Sequence, residues 1–215
     1  MATQEIKRHN PGTVTILRAE GDDSPRHVIR GRAIVFNQST ELYNDGELCI
    51  REKIDPAAIT EDLLKRSDIK MTIDHDPSRL LARSKMGKGT LTYKLSKDGV
   101  DFEFEAPNTT DGNDAYELVS RGIIDGCSFW AGAGYEDVER TRYQEGDLRV
   151  VERTIKRFAY LRDFTLTASP QYEQTECEAL ARSAKEEMEQ ETVSREKAAA
   201  DMERSWSAVE AEINR

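Results

Sequence analysis

The sequence predicts an α+β protein with a β-rich, barrel-like core, a few short helices and a C-terminal helical arm. Three observations predict this. Across residues 13–169, short runs rich in β-branched and aromatic residues alternate with polar or Gly-containing turns. Two stretches inside that span carry helix-start signals instead. Residues 176–215 contain neither Gly nor Pro and are dominated by Ala, Glu, Lys and Arg. The 215 residues therefore divide into a flexible N-terminus (1–12), a core (13–175) and an acidic helical tail (176–215).

Taken in order, Val14-Thr15-Ile16-Leu17, the run from His27 to Phe36, and Leu48-Cys49-Ile50 are the first strands, short and separated by turn residues. Asp55-Pro56-Ala57-Ala58-Ile59 and Thr60-Glu61-Asp62-Leu63-Leu64-Lys65 give the first short helix, with an N-cap and Pro in the first helical position. Thr90-Leu91-Thr92-Tyr93-Lys94-Leu95 and the run from Val100 to Ala106 alternate apolar and polar residues about Ser96-Lys97-Asp98-Gly99, the signature of a hairpin with one wet face. The stretch from Asp111 to Gly122 reads as a helix closed by Gly122. It leads into the serine-bearing strand Gly126-Cys127-Ser128-Phe129-Trp130. A second hairpin turns at Glu145-Gly146-Asp147, and Leu161-Arg162-Asp163-Phe164-Thr165-Leu166 is a further strand. In the tail, Met202, Trp206, Val209 and Ile213 fall at i, i+4, i+7 and i+11. So thin a stripe fits docking on a partner or on another copy of the chain, and equally a solvated helix.

Composition narrows the function. The net charge is −10, from 31 basic and 41 acidic residues, which disfavours nucleic acid as a partner because phosphates need cationic patches. Residues 176–215 hold eleven acidic against six basic residues, a net of −5 and half of the excess. No run approaches the roughly 20 apolar residues of a membrane helix, and the first residues lack the apolar stretch of a secretory signal. Three widely spaced cysteines (Cys49, Cys127, Cys177) without a CxxC pair argue against a disulfide scaffold or a zinc site and fit a reducing cytoplasm. Neither a metal nor a cofactor is expected.

A serine hydroxyl is a weak nucleophile until a base takes its proton. Ser128 follows Gly126 and Cys127, residues small enough for a substrate backbone to approach. Read locally, it is better explained as a strand serine bonded to the backbone. Cys127 is a rival nucleophile, and strand neighbours point to opposite faces, so at most one of the two faces a shared base. The chain has three histidines. His9 lies in the N-terminal stretch and His27 enters a strand, which leaves His75 as the base candidate by elimination. Its neighbours Asp76-Pro77-Ser78 read as turn chemistry, with His75 at the edge of that turn. Asp163 sits in an alternating strand, where an acid is commonly a surface charge paired to an arginine; in the functional reading it would orient an imidazole.

Together these segments resemble the head maturation (prohead) proteases of tailed phages related to HK97. The resemblance spans roughly residues 31–172. It runs through Gly31-Arg32-Ala33-Ile34-Val35-Phe36, then Glu52-Lys53-Ile54-Asp55-Pro56-Ala57-Ala58-Ile59, then Ile73-Asp74-His75-Asp76-Pro77 with Leu80-Leu81-Ala82-Arg83. Leu118-Val119-Ser120-Arg121-Gly122 leads to Asp125-Gly126-Cys127-Ser128-Phe129, and Leu161 to Tyr172 closes the series. The order of these motifs carries the resemblance more than any one of them.

The resemblance implies a serine endopeptidase with a fold like that of herpesvirus assemblins, in which Ser128 is the nucleophile, His75 the general base and Asp163 the third member. Relatives often carry Glu at the third position, in a pattern like Leu-x-Glu-x-Ser, where this chain has Asp163-Phe164-Thr165. Trp130-Ala131-Gly132 also departs from the Gly-Phe continuation of relatives. The implied partners are the major capsid protein and scaffold segment as substrates, with a homo-oligomer through the C-terminal helix. The implied place is the procapsid in the bacterial host cytoplasm, where such enzymes also digest themselves. A catalytically inactive internal scaffold protein of the same fold is the alternative, and a cysteine peptidase using Cys127 a third reading.

Overall fold

The structure, a computed structural model, describes residues 3–10, 14–17, 27–168 and 174–213. In chain order the strands are β1 (Thr3–Asn10), β2 (Val14–Leu17), β3 (Val28–Val35), β4 (Thr40–Asn44) and β5 (Leu48–Ile54). A 3-10 turn (Pro56–Ala58) and helix α1 (Glu61–Arg66) follow. Next come β6 (Asp68–Ile73), β7 (Asp76–Lys85), β8 (Lys88–Gly89), β9 (Leu91–Leu95) and β10 (Gly99–Glu105). Helix α2 (Thr110–Ser120) leads to β11 (Gly126–Gly134), β12 (Val138–Glu145), β13 (Leu148–Ile155) and β14 (Tyr160–Thr167). Helix α3 (Gln174–Ile213) completes the series.

The α+β, strand-rich class expected from the sequence is the one observed. Among the described residues the strands form three sheets and no closed barrel. The largest has the order β1-β11-β14-β6-β7-β8; the others are β2-β3-β10-β9 and β12-β13-β5-β4. Two pairings are parallel, β14 with β6 and β13 with β5, and join segments far apart in sequence. The chain falls into two compact units, Met1–Glu173 and Gln174–Arg215. Strand β1 runs through the stretch that the sequence assigns to a flexible N-terminus. Its eight residues include one aliphatic, Ile6, so no hydrophobic period marks it; its backbone pairs with β11.

Local chemistry explains the elements around the site. Asp55 caps the 3-10 turn by accepting from the Ala57 amide at 2.8 Å, and Thr60 caps α1 by accepting from Leu63 at 3.1 Å. Helix α2 starts at the Thr109 cap, two residues before the expected Asp111. It ends in Gly122, whose φ of +68° is the left-handed conformation glycine supplies. The Gly122 amide donates to the Val119 carbonyl and the Ile123 amide to that of Leu118, closing the helix and turning the chain into β11. β11 is buried on both faces, as expected of an inner strand. Cys127, Phe129, Ala131 and Ala133 point into a hydrophobic core shared with Ile29, Ile34, Phe102, Phe158 and Phe164. Ser128 and Trp130 take the opposite face by alternation.

Helix α3 by itself is a 40-residue element, and its described side chains are mostly exposed. Of the expected stripe, Met202 is exposed, while the side chains of Trp206, Val209 and Ile213 lie outside the described residues. None of the described helices is long and apolar enough to cross a membrane.

Candidate active site

Ser128, His75 and Asp163 meet on one face of the six-stranded sheet. Ser128 comes from β11 and Asp163 from its antiparallel neighbour β14. His75 comes from the tight turn between β6 and β7, which the parallel β14–β6 pairing brings alongside. His75 Nε2 lies 2.9 Å from Ser128 Oγ, and His75 Nδ1 lies 2.6 Å from Asp163 Oδ1. The carboxylate can only accept, so it fixes the proton on Nδ1. Nε2 is thereby left to accept the Ser128 hydroxyl proton. Ser128 and Asp163 are each 5% exposed.

The turn that presents His75 differs from the one the sequence suggests. Asp76-Pro77-Ser78 begins β7, with Asp76 Oδ1 accepting from the Ser78 amide, and the reversal itself is Asp74-His75. Both have positive φ, +51° and +57°, as a two-residue hairpin turn requires. Neither is Gly, so neighbouring bonds must hold the conformation. The Asp74 amide donates to the Leu166 carbonyl at 3.1 Å, and the His75 amide to Thr165 Oγ1 at 2.9 Å. Both acceptors belong to β14, the strand that carries Asp163.

The face is completed by Trp130, which the sequence marks as a departure from relatives beside the serine, and by Arg162, to which it assigns no role. The Trp130 ring stands edge-on to the His75 ring at 6.0 Å, and the Arg162 guanidinium stacks over Trp130 at 3.9 Å. Arg162 is the extra residue of a β-bulge, because Trp130 pairs with Asp163 and Ala131 with Leu161. Thr165 stands at the last position of the Leu-x-Glu-x-Ser pattern, the signal that marks its role, while the bulge leaves no motif in the sequence. Beside them a cleft of about 520 Å³ lies between Lys70, Tyr160 and Arg162. A larger cleft of about 790 Å³, between Arg30, Tyr93 and Asp101 of another sheet, contains none of the three residues.

Cys127 and His27 lie elsewhere. Cys127 is fully buried on the core side of β11, and burial pushes its thiol well above the usual range. His27 stacks on Tyr116 of α2 at 4.2 Å. The backbone of His9 pairs opposite Ser128 in β1. Among the described residues, no group of three or more His, Cys, Asp or Glu is placed to hold a metal ion. A hydroxyl, an imidazole and a carboxylate joined in that order can deliver an alkoxide-like nucleophile to an acyl carbon and take up the proton it releases.

The caudovirus prohead serine protease family model matches residues 15–191. Among solved structures, the bacteriophage T4 capsid assembly protease gp21 is similar at 13% identity and a TM-score of 0.43, covering 78% of this chain and 99% of that one. No curated protein matches.

Proposed function

The chain belongs to the caudovirus prohead serine proteases, and from that premise we propose that Ser128, His75 and Asp163 are its catalytic residues. The substrates are the scaffold and/or the major capsid protein, and the enzyme itself, inside the procapsid assembling in the bacterial host cytoplasm. The observation that carries this reading is the continuous relay from Ser128 Oγ through the imidazole to Asp163, at 2.9 and 2.6 Å.

In this mechanism Oγ attacks a peptide carbonyl as Nε2 takes the hydroxyl proton, giving a tetrahedral oxyanion and an imidazolium paired to Asp163. His75 then gives that proton to the leaving amine, and the peptide bond breaks to leave an acyl ester on Ser128. Water, deprotonated by His75, attacks the ester and restores the serine. The relay supports an enzyme over an inactive scaffold protein of the same fold, since His75 and Ser128 stand within hydrogen-bond reach. The buried, core-facing Cys127 gives no support to a cysteine peptidase.

Co-expression with the major capsid protein tests the reading. Mass measurement of the products should show capsid or scaffold cleavage with the native chain and none with Ser128→Ala, which should fold normally. Cleavage at the native rate by Ser128→Ala would refute the assignment. The acidic tail, residues 176–215, is assigned to docking on scaffold, capsid or a second copy. Its deletion should abolish packaging into procapsids and leave peptidase activity; normal packaging would remove that role.

A further inference from the structure

The outer edge of β11 is taken by β1, and we infer that this edge is the docking site for an extended peptide, occupied here by the chain's own segment Thr3–Asn10. The inference rests on the protease reading above and adds to it where a substrate backbone lies.

The register carries it. β1 runs antiparallel along the serine strand from the Thr3–Gly134 pair to His9 opposite Ser128, and ends one residue later at Asn10–Cys127. A peptide on this edge therefore reaches the nucleophile in extended form and leaves the sheet just beyond it. Strand addition of this kind draws its affinity from main-chain hydrogen bonds, so unrelated peptides compete for one edge.

Three observations mark β1 as an occupant rather than a fixed strand. Its sequence, Thr-Gln-Glu-Ile-Lys-Arg-His-Asn, offers one aliphatic side chain in eight, whereas β11 is buried almost throughout. It belongs to the sheet only through β11, and the next strand, β2, joins a different sheet. The match to the protease family begins at residue 15, beyond the end of β1. The stretch matched to the family thus contains the serine strand without the strand that covers its edge.

An occupant in cis raises the apparent KM by the reciprocal of the fraction of time the edge is open. If β1 fills it nine-tenths of the time, its removal lowers KM about tenfold and leaves kcat unchanged, because ground-state access alone has changed.

The test uses a chain lacking residues 3–10 and a fluorescent peptide with the sequence of Thr3–Asn10. Anisotropy is read on chains carrying Ser128→Ala, so binding is scored whether or not the protein is a protease. The peptide should bind the truncated chain saturably and the intact chain about tenfold more weakly. With Ser128 present, truncation should lower KM for a peptide substrate. Cleavage by no form of the chain would defeat the protease reading and leave the binding result standing.

Equal binding to intact and truncated chains overturns the inference. So does a truncated chain that no longer unfolds cooperatively, since β1 would then be a structural strand. Proline scanning in the intact chain gives a second arm. Successive strand residues aim their amides to opposite sides, so only one of Ile6→Pro and Lys7→Pro removes a donor to β11. That variant should bind the peptide like the truncated chain while the other behaves like the intact one; no difference between the two also overturns the inference.

Discussion

Replacing Asp163 by Asn tests the relay at its charged step, the support of a positively charged imidazole. The substitution keeps shape and one acceptor oxygen and removes the charge. During attack by Ser128 the His75 ring becomes cationic while its Nδ1 lies 2.6 Å from the carboxylate, with both side chains well shielded, 16% and 7% exposed. Opposite charges about 4 Å apart attract by about 4 kcal/mol at an effective dielectric near 20. At 1.36 kcal/mol per decade that is about a thousandfold in kcat. A second effect adds to the first. An amide turned to donate toward Nδ1 would move the ring proton to Nε2, which then could not accept from Ser128; a triad that loses its acid this way drops about 10⁴-fold. The expected result is a kcat lower by about 10³ to 10⁴ with KM little changed, measured as single-turnover cleavage with circular dichroism to confirm folding. A rate within about tenfold of the native enzyme would show that the carboxylate does not support the imidazolium, and the triad would reduce to a dyad.

Three further outcomes follow from other parts of the core. Glu52 and Arg153 are register partners in the parallel β5–β13 pair, 3% exposed each and 3.4 Å apart at Oε2 and Nε; Glu52→Ala breaks this buried pair and should cost about 3–5 kcal/mol in urea unfolding. Asp55 is held below the usual carboxylate range, first by its hydrogen bond from Lys156 and then by that from the Ala57 amide. A depressed folded value stabilises above the unfolded value of about 3.9 and fades as pH falls through the folded one. The Tm gap between native and Asp55→Asn chains should therefore shrink on acidification from pH 7 toward 3, and a constant gap would contradict the assigned cause. Met86 and Gly87 form the β7–β8 turn with φ of +52° and +70°, and Met86 is 64% exposed. Asn tolerates that conformation, so Met86→Asn should raise stability by about 0.5–1 kcal/mol with activity unchanged.

How far the sequence reached depended on how local the physics was. The two hairpins, the helix ending at Gly122 and the serine strand are marked by turn residues and periodicity within a few positions. β1 carries no such mark, because its pairing is supplied by the edge of β11. The turn signal in the sequence, Asp76-Pro77-Ser78, lies one step beyond the actual reversal at Asp74-His75. Asp-Pro-Ser is ordinary turn chemistry, while two non-glycine residues in left-handed conformation become tolerable only through their bonds to β14. Strand alternation already required that Ser128 and Cys127 face opposite ways. It could not say which faced the histidine, since that follows from which side of β11 meets the core. The meeting of His75 with Ser128 depends on the parallel pairing of Thr165 with Thr72, residues far apart in the chain. Only the order of the family-like motifs brought it within reach.

The same turn raises a question of sign. His75 occupies a position where a two-residue turn favours glycine, at a cost of about 1–2 kcal/mol for its left-handed backbone. Taken alone, that makes His75→Gly a stabilising change. Against it stands the buried Asp163 carboxylate, which would lose the ring N–H 2.6 Å away. A buried charged acceptor left unmade costs more than the roughly 1–3 kcal/mol of a neutral one. The second effect is the larger, so His75→Gly should unfold at lower denaturant than the native chain. With the charge already removed by Asp163→Asn, the orphaned group is a neutral amide and the strain relief weighs more. The glycine should then be close to neutral or stabilising. A double-mutant cycle over these two positions should give a coupling of about 1.5–3 kcal/mol, the range for a hydrogen bond to a charged group. A single His75→Gly chain more stable than the native one would mean that backbone strain outweighs the His75–Asp163 bond. The bonds from Asp74 and His75 to β14 would then carry the whole task of holding the catalytic turn in place.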